Sequence, residues 1–278
     1  MSRPELQTPP DLFYNAAEAR KYHSSSRMVE IQAEISGRCI ELLNIPPDKM
    51  CFILDVGCGS GLSGQALEEA GHYWLGLDIS RDMLDVANER DTEVGDLCEH
   101  DMGTGLPFRP ATFDGCVSVS ALQWLCYAQT SEQVAKTRLL RFFSSLYSCL
   151  KRGSRAALQF YPENPEQAVL IASCAAKAGF TGGLVVDYPN STKAKKHYLC
   201  LSFEHGYKAP SPLVDAGGTA TASVSREMRN ARGKGGKKKS KAVKSKDWVL
   251  AKKDRQRQQG REVRADTKFT GRKRKDKF

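Results

Sequence analysis

The stretch Ile53-Leu54-Asp55-Val56-Gly57-Cys58-Gly59-Ser60-Gly61 decides the fold. An apolar run meets an acid, then glycines at alternate positions, and a helix-like pattern follows from Leu62. Side chains at Gly57, Gly59 and Gly61 would fill the space beyond a strand end. Without them a cofactor can lie against bare backbone. Glycine also turns the chain without steric cost.

Outward from this loop, strand and helix patterns alternate. Cys51–Val56 reads as a strand, Leu62–Ala70 as a helix, and Tyr73–Leu77 as a strand ending at Asp78. Ser80 can cap a helix running through Arg90. Thr92–Val94 is a short strand candidate and Phe113–Val119 a clear one. Ser131–Leu150 reads as a long helix stopped by Lys151-Arg152-Gly153. Ala156–Tyr161 is a strand, and Pro165–Ala178 a helix closed by Gly179. Leu184–Asp187 and Tyr198–Phe203 are the last two strands. Alternation of this kind predicts a doubly wound, mainly parallel sheet, with an antiparallel edge from the closing pair. Upstream, Ser26–Leu43 carries Met28, Ile31, Ile35, Cys39, Leu42 and Leu43 at helical spacing, and Ile45-Pro46-Pro47 ends it.

The bulk numbers set limits. The 278 residues, 40% apolar, suffice for one sizeable domain and an appendage. No run of about 18 apolar residues occurs, which predicts no membrane span, and residues 1–13 hold no signal-peptide core. Nine cysteines without a Cys-x-x-Cys pair argue against a disulfide framework or structural zinc site and for a reducing compartment. Cys98 and His100 are close in sequence, but two ligands make no metal site. Charge divides sharply. Residues 1–203 hold 19 Lys and Arg against 24 Asp and Glu, net −5, while residues 204–278 hold 23 against 8, net +15. A mildly acidic domain with a basic arm points to a nucleic-acid partner.

Two cofactors compete for the loop. Gly59-Ser-Gly61-Leu-Ser-Gly64 with Asp78 downstream matches a nicotinamide fingerprint. Asp55-x-Gly57-x-Gly59-x-Gly61, however, resembles motif I of class I S-adenosylmethionine-dependent methyltransferases. Gly76-Leu-Asp78-Ile-Ser80 resembles their second motif, where an acceptor-only acid takes both ribose hydroxyls. Asp78 can also simply cap the next helix. Asp101-Met102, Leu106-Pro-Phe108 and Phe113-Asp114 resemble the adenine-contacting region and the lead into strand four. The order of the three favours S-adenosylmethionine.

Strand four ends in Ser118-Val-Ser-Ala-Leu-Gln-Trp124-Leu. In such a fold this segment lies beside the reacting methyl. The Asn/Asp-Pro-Pro-Tyr of amino-methylating enzymes is absent. Trp124 offers either a plane for base stacking or ordinary core packing.

The glycine loop, Leu106-Pro-Phe-Arg109, Ser120-Ala-Leu-Gln-Trp124-Leu, Lys246-Asp-Trp248-Val-Leu and Lys268-Phe-Thr-Gly-Arg-Lys-Arg274 together resemble the eukaryotic 18S ribosomal RNA guanine-N7 methyltransferase family over nearly the whole chain. The resemblance implies a Rossmann-like class I methyltransferase fold with a seven-stranded sheet. It also implies a guanosine of the small-subunit rRNA precursor as target, and a heterodimer with a small zinc-binding activator subunit. Expected cofactor residues are Asp55, Gly57, Gly59, Gly61, Asp78, Ile79, Asp101, Met102 and Ser118. Trp124 and Tyr127 are substrate candidates, and Tyr14 and Tyr22 belong to an N-terminal lid. Guanine N7 has a lone pair and no proton, so no proton-transfer residue is assigned. The expected division is a helical lid over 1–50, the methyltransferase domain over 51–205, and a disordered basic tail over 206–278.

The tail reads as an anchor on pre-ribosomal RNA or as a solvated charge run. Lys237–Lys241 and Arg272–Lys275 also suit nuclear import, with nucleolus and nucleoplasm as the expected sites and room for a cytoplasmic pool. Phe52–Leu54 or Tyr73–Leu77 is expected to contribute to an exposed apolar sheet edge for the partner. The rival readings are a mainly non-catalytic assembly factor and a small-molecule methyltransferase.

Overall fold

The computed structural model describes residues 3–90, 92–128, 133–191 and 193–214, together with Leu250, Lys253, Arg257, Ala265 and Asp266. In chain order come α1 (Pro10–Phe13), α2 (Ala16–Ser24), α3 (Ser26–Leu43), β1 (Phe52–Val56), α4 (Leu62–Glu69), β2 (Tyr73–Asp78), α5 (Arg81–Asn88), β3 (Gly95–Glu99) and β4 (Phe113–Val119). Then follow α6 (Ala135–Cys149), β5 (Leu150–Phe160), α7 (Pro165–Ala178), β6 (Thr181–Asp187) and β7 (Lys196–Ser202).

The strands form one sheet in the order β3-β2-β1-β4-β5-β7-β6. β1 to β5 run parallel, and β7 lies antiparallel between β5 and β6. Side chains alternate across the sheet with period two. Ile53 and Val117 face Ile35, Cys39 and Leu42 of α3. Leu54 and Cys116 face Leu139, Phe142 and Leu146 of α6. Both faces of β1 and β4 are therefore covered, which is why these strands read as near-continuous apolar runs.

After β1 the chain winds toward β3, and after β4 it winds toward β5. The reversal lies between β1 and β4, and a crevice opens there beyond their carboxyl ends. Away from that crevice, Arg38 of α3 is bound to Asp187 of β6 at 2.9 Å. Asp187 Oδ1 also accepts the backbone N–H of Leu213 at 2.8 Å. Tyr207 and Ala209 pack against the α3 side of the core, so the segment up to Leu213 is built onto the sheet.

Several expectations need correction. The third strand is Gly95–Glu99, not Thr92–Val94. Val94 attracted the reading, yet it only accepts a bond from Trp74 N ahead of the ladder. The long helix spans Ala135–Cys149, with Ser131 and Glu132 outside the described residues. The strand expected over Ala156–Tyr161 begins at Leu150, directly after the helix, and takes in Lys151-Arg152-Gly153. The register between β4 and β5 shifts there, and Gly153 takes a φ of +87°. Neither β1 nor β2 is an edge, because each is flanked on both sides; the edges are β3 and β6.

The expected tail falls largely outside the described residues. Leu250, Lys253 and Arg257 are helical. Lys253 and Arg257 both reach Asp266, at 2.7 and 2.6 Å.

Candidate functional site

The crevice is built first by backbone. Gly57 and Cys58 donate their N–H groups to Leu77 O at 2.6 and 3.2 Å, tying the glycine loop to the end of β2. Gly57 has a φ of +73°, and a Cβ there would overlap the Ala121 methyl. Any other residue would strain the turn and push the β4 exit away. Gly59 donates to Asp78 Oδ2 at 2.9 Å, and Ser80 N donates to Asp78 Oδ1 at 2.9 Å. One carboxylate thus braces two loops. Burial pushes its pKa up, and the backbone donors oppose that shift. Each oxygen retains acceptor capacity toward the crevice. The cap expected of Ser80 also forms, with Met83 N on its hydroxyl at 3.2 Å.

Behind the loop lies Asp55, fully buried. Ser63 donates to its Oδ2 at 2.6 Å, and Oδ1 has no partner. Burial, together with the Asp78 charge, pushes the carboxyl up to about 7 against the Ser63 bond. Ser118 is spent on Val56 O at 2.7 Å. Cys58, inside the loop, has its thiol pushed well up by burial, which keeps it protonated.

The opposite wall is formed by His100, Asp101, Met102 and Arg138. His100 Nε2 lies 2.6 Å from Gly105 O, so this nitrogen carries the donated proton. Asp101 accepts from Gly103 N at 2.8 Å and from Arg138 of α6 at 2.8 and 3.0 Å. Above the crevice sit aromatic rings. Trp124 meets Tyr14 at 6.0 Å between centroids and Phe13 at 6.2 Å, and Tyr14 meets Tyr22 edge-on at 6.2 Å. The Tyr14 carbonyl is held by the Ser80 hydroxyl at 2.8 Å. The Tyr14 phenol is pushed up by burial and then by Asp78, so it stays a neutral donor.

Of the residues expected from sequence, Gly57, Gly59, Asp78, Ile79, Asp101, Met102 and Trp124 line one cavity, with Tyr14 and Tyr22. Asp55, Gly61, Ser118 and Tyr127 do not line it. Asp55 and Ser118 point into the protein behind the loop. Tyr127 bonds Glu163 at 2.9 Å. Sequence reasoning missed His100, Arg138 and Ser120. Ser120 lines the cavity in a left-handed conformation, φ +58°. Gln159 clamps it there, accepting both its N–H and its hydroxyl at 2.9 Å. The partners are 39 residues apart, beyond any local pattern.

The cavity's residues fit an adenosyl sulfonium. Asp78 offers acceptors to a diol, the glycine loop leaves room for a close approach, and Asp101 stands on the far wall. A sheet of this order with its antiparallel seventh strand, joined to such a cavity, defines a class I S-adenosylmethionine-dependent methyltransferase. A family model described as "Methyltransferase domain" matches residues 54–158. A second, "Methyltransferase involved in Williams-Beuren syndrome", matches residues 206–276. The 18S rRNA (guanine-N(7))-methyltransferase of Mus musculus is 53% identical over 276 residues, 99% of this chain and 98% of that protein. The 18S rRNA (guanine(1575)-N(7))-methyltransferase of Saccharomyces cerevisiae is 48% identical over 282 residues, all of both chains. Among solved structures, Haemonchus contortus phosphoethanolamine N-methyltransferase 2 in complex with S-adenosyl-L-methionine shares the fold, with TM-score 0.50 and 17% identity over 68% of this chain and 57% of that one. The chain belongs to the 18S rRNA (guanine-N7)-methyltransferase family.

Proposed function

We propose that this chain moves a methyl group from S-adenosylmethionine to N7 of a guanosine in 18S rRNA during assembly of the small ribosomal subunit. The observation that carries this reading is identity along the full length with relatives named for that activity. Bound S-adenosylmethionine supplies an electrophilic methyl on a sulfonium. The chain's own residues bind and orient. Asp78 accepts the ribose hydroxyls, Asp101 faces the adenine, and Gly57 and Gly59 let the backbone approach. Asp55 and Ser118 act from behind the loop, holding its shape, and Gly61, at φ +80°, turns its end into α4. The guanine stacks on Trp124, which requires Phe13 and Tyr14 to move or to close over the base. The segment 3–24 is then a lid, whereas α3, expected to belong to it, is core packed on the sheet. With that donor bound, N7 would form its bond to the methyl as the S–CH3 bond broke, the electron pair staying on sulfur; no proton would need to leave, so the residues' part is in-line positioning, which can amount to about 7–11 kcal/mol. Positive charge arrives on the guanine as the methyl transfers, and an indole face favours it.

The basic tail anchors the enzyme on precursor rRNA and suits import into the nucleus. The family resemblance supports a small zinc-binding activator as partner. Its place in this reading is the β3 edge, where strand addition is open and Tyr73 is 46% exposed beside it. Replacing Tyr73 by Glu is expected to weaken the heterodimer; an unaltered heterodimer affinity would move the interface elsewhere.

The direct test incubates enzyme, activator and an 18S rRNA fragment with S-adenosylmethionine and maps the product by mass spectrometry. N7-methylguanosine is expected with the unmodified chain and none with Asp78→Ala. Methylation at another atom would overturn the reading.

A further inference from the structure

The Asp101 carboxylate is unusually well held for a cavity wall. Its partner Arg138 sits near the start of α6, with a side chain only 9% exposed. One guanidinium nitrogen spans both carboxylate oxygens, at 2.8 Å to Oδ1 and 3.0 Å to Oδ2. The backbone N–H of Gly103 takes a further site on Oδ1 at 2.8 Å. The guanidinium lies flat against the 102–104 turn, because a methyl on Gly103 would overlap it. A carboxylate has about four acceptor sites. Three are therefore spoken for, and the one left on Oδ2 belongs to a residue on the cavity wall.

From this geometry we infer that Arg138 is the positioning residue for recognition of the cofactor's adenine, holding Asp101 so that its remaining lone pair meets the exocyclic 6-amino group. The inference rests on the reading of Asp101 as the residue facing adenine. An anionic acceptor aimed at position 6 takes an amino group and repels a carbonyl. The pair is thus a specificity device: it admits a 6-aminopurine and rejects a 6-oxopurine. Arg138 itself reaches the base only through Asp101. A lysine could supply the charge but not the flat guanidinium that lies against the turn at Gly103.

The test compares binding of S-adenosylhomocysteine and its 6-oxo analogue, S-inosylhomocysteine, to the full chain by calorimetry. The unmodified protein should prefer the adenine form by about tenfold or more, as sites built around a hydrogen bond do. Arg138→Met should weaken S-adenosylhomocysteine about tenfold and bring the two ligands close to parity. It should raise KM for S-adenosylmethionine more than it lowers kcat. Arg138→Lys should recover part of the preference. Gly103→Ala, which displaces the guanidinium without removing it, should reproduce the Met variant. Equal weakening of both ligands by Arg138→Met would reveal a merely structural role and overturn the inference. So would unaltered binding in that variant beside an Asp101→Asn variant that has lost the preference. An Asp101→Asn variant that keeps the wild-type preference would instead overturn the adenine reading itself, and Arg138's role with it.

Discussion

Asp55, near the end of β1, and Asp78, at the end of β2, both bear on the glycine loop, yet they do opposite things. Asp78 spends one acceptor site per oxygen on Gly59 and Ser80 and has acceptor capacity left on each. Its replacement by Ala is expected to abolish S-adenosylmethionine binding in a calorimetric titration; retained micromolar binding would contradict the assignment. Asp55 is sealed, with an unpartnered oxygen and a carboxyl pushed up to about 7. Its folded pKa lies above the unfolded value, so the neutral form is the one the fold favours. Its contribution is full below about pH 4 and is lost as pH rises through about 7. Denaturant titrations should show the cofactor-free wild type losing up to about 4 kcal/mol between pH 4 and pH 8 relative to Asp55→Asn. Parallel pH profiles would mean that Asp55 is ionised and solvated. That both acids lie against the glycine loop was legible, because motif residues report a local turn. That Asp55 faces inward was not, since a residue near a strand's end can point either way. Arg138 was invisible for another reason: it sits among apolar helix positions, and its partner is 37 residues away.

At the level of elements, α7, with a polar cap and a glycine stop, was legible to the residue, whereas the Ser80-capped α5, expected to run through Arg90, ends at Asn88. Asn164 caps α7 through Gln167 N at 2.9 Å, and Gly179 closes it with a φ of +117°. Strand limits were read less well where strands lack an apolar signature. β3 offers only Leu97 and Cys98 to the interior, and both are partly buried. β5 starts with a solvated stretch that extends its ladder before most of its core residues appear. Edge position is a property of order in space, so no strand declares it. The ion pair joining α3, β6 and the segment ending at Leu213 belongs to this scale. Arg38 and Asp187 are 9% and 1% exposed. Arg38→Met strands a buried carboxylate and should cost about 3–5 kcal/mol in unfolding free energy. A cost below about 1 kcal/mol would show that water reaches Asp187.

Over the whole molecule, the division of charge argues for separate tasks. Residues 1–203 carry net −5 and residues 204–278 net +15. Removing residues 215–278 spares the contacts that Leu213 and Ser211 make with Asp187 and Arg38. That truncation is expected to leave S-adenosylmethionine affinity intact and to weaken binding to an 18S rRNA precursor, with a shallower salt dependence. Undiminished RNA retention at physiological salt would contradict the anchoring role. Composition alone exposed this division, because charge needs no fold to be counted. The choice of RNA and base did not follow from composition; it came from the resemblance along the chain.

Depleting the protein and mapping N7-methylguanosine in small-subunit rRNA by mass spectrometry reads the methyl transfer itself. One N7-methylguanosine should be lost, restored by the wild-type chain and not by Asp78→Ala. An unchanged modification profile after depletion would contradict the proposed transfer.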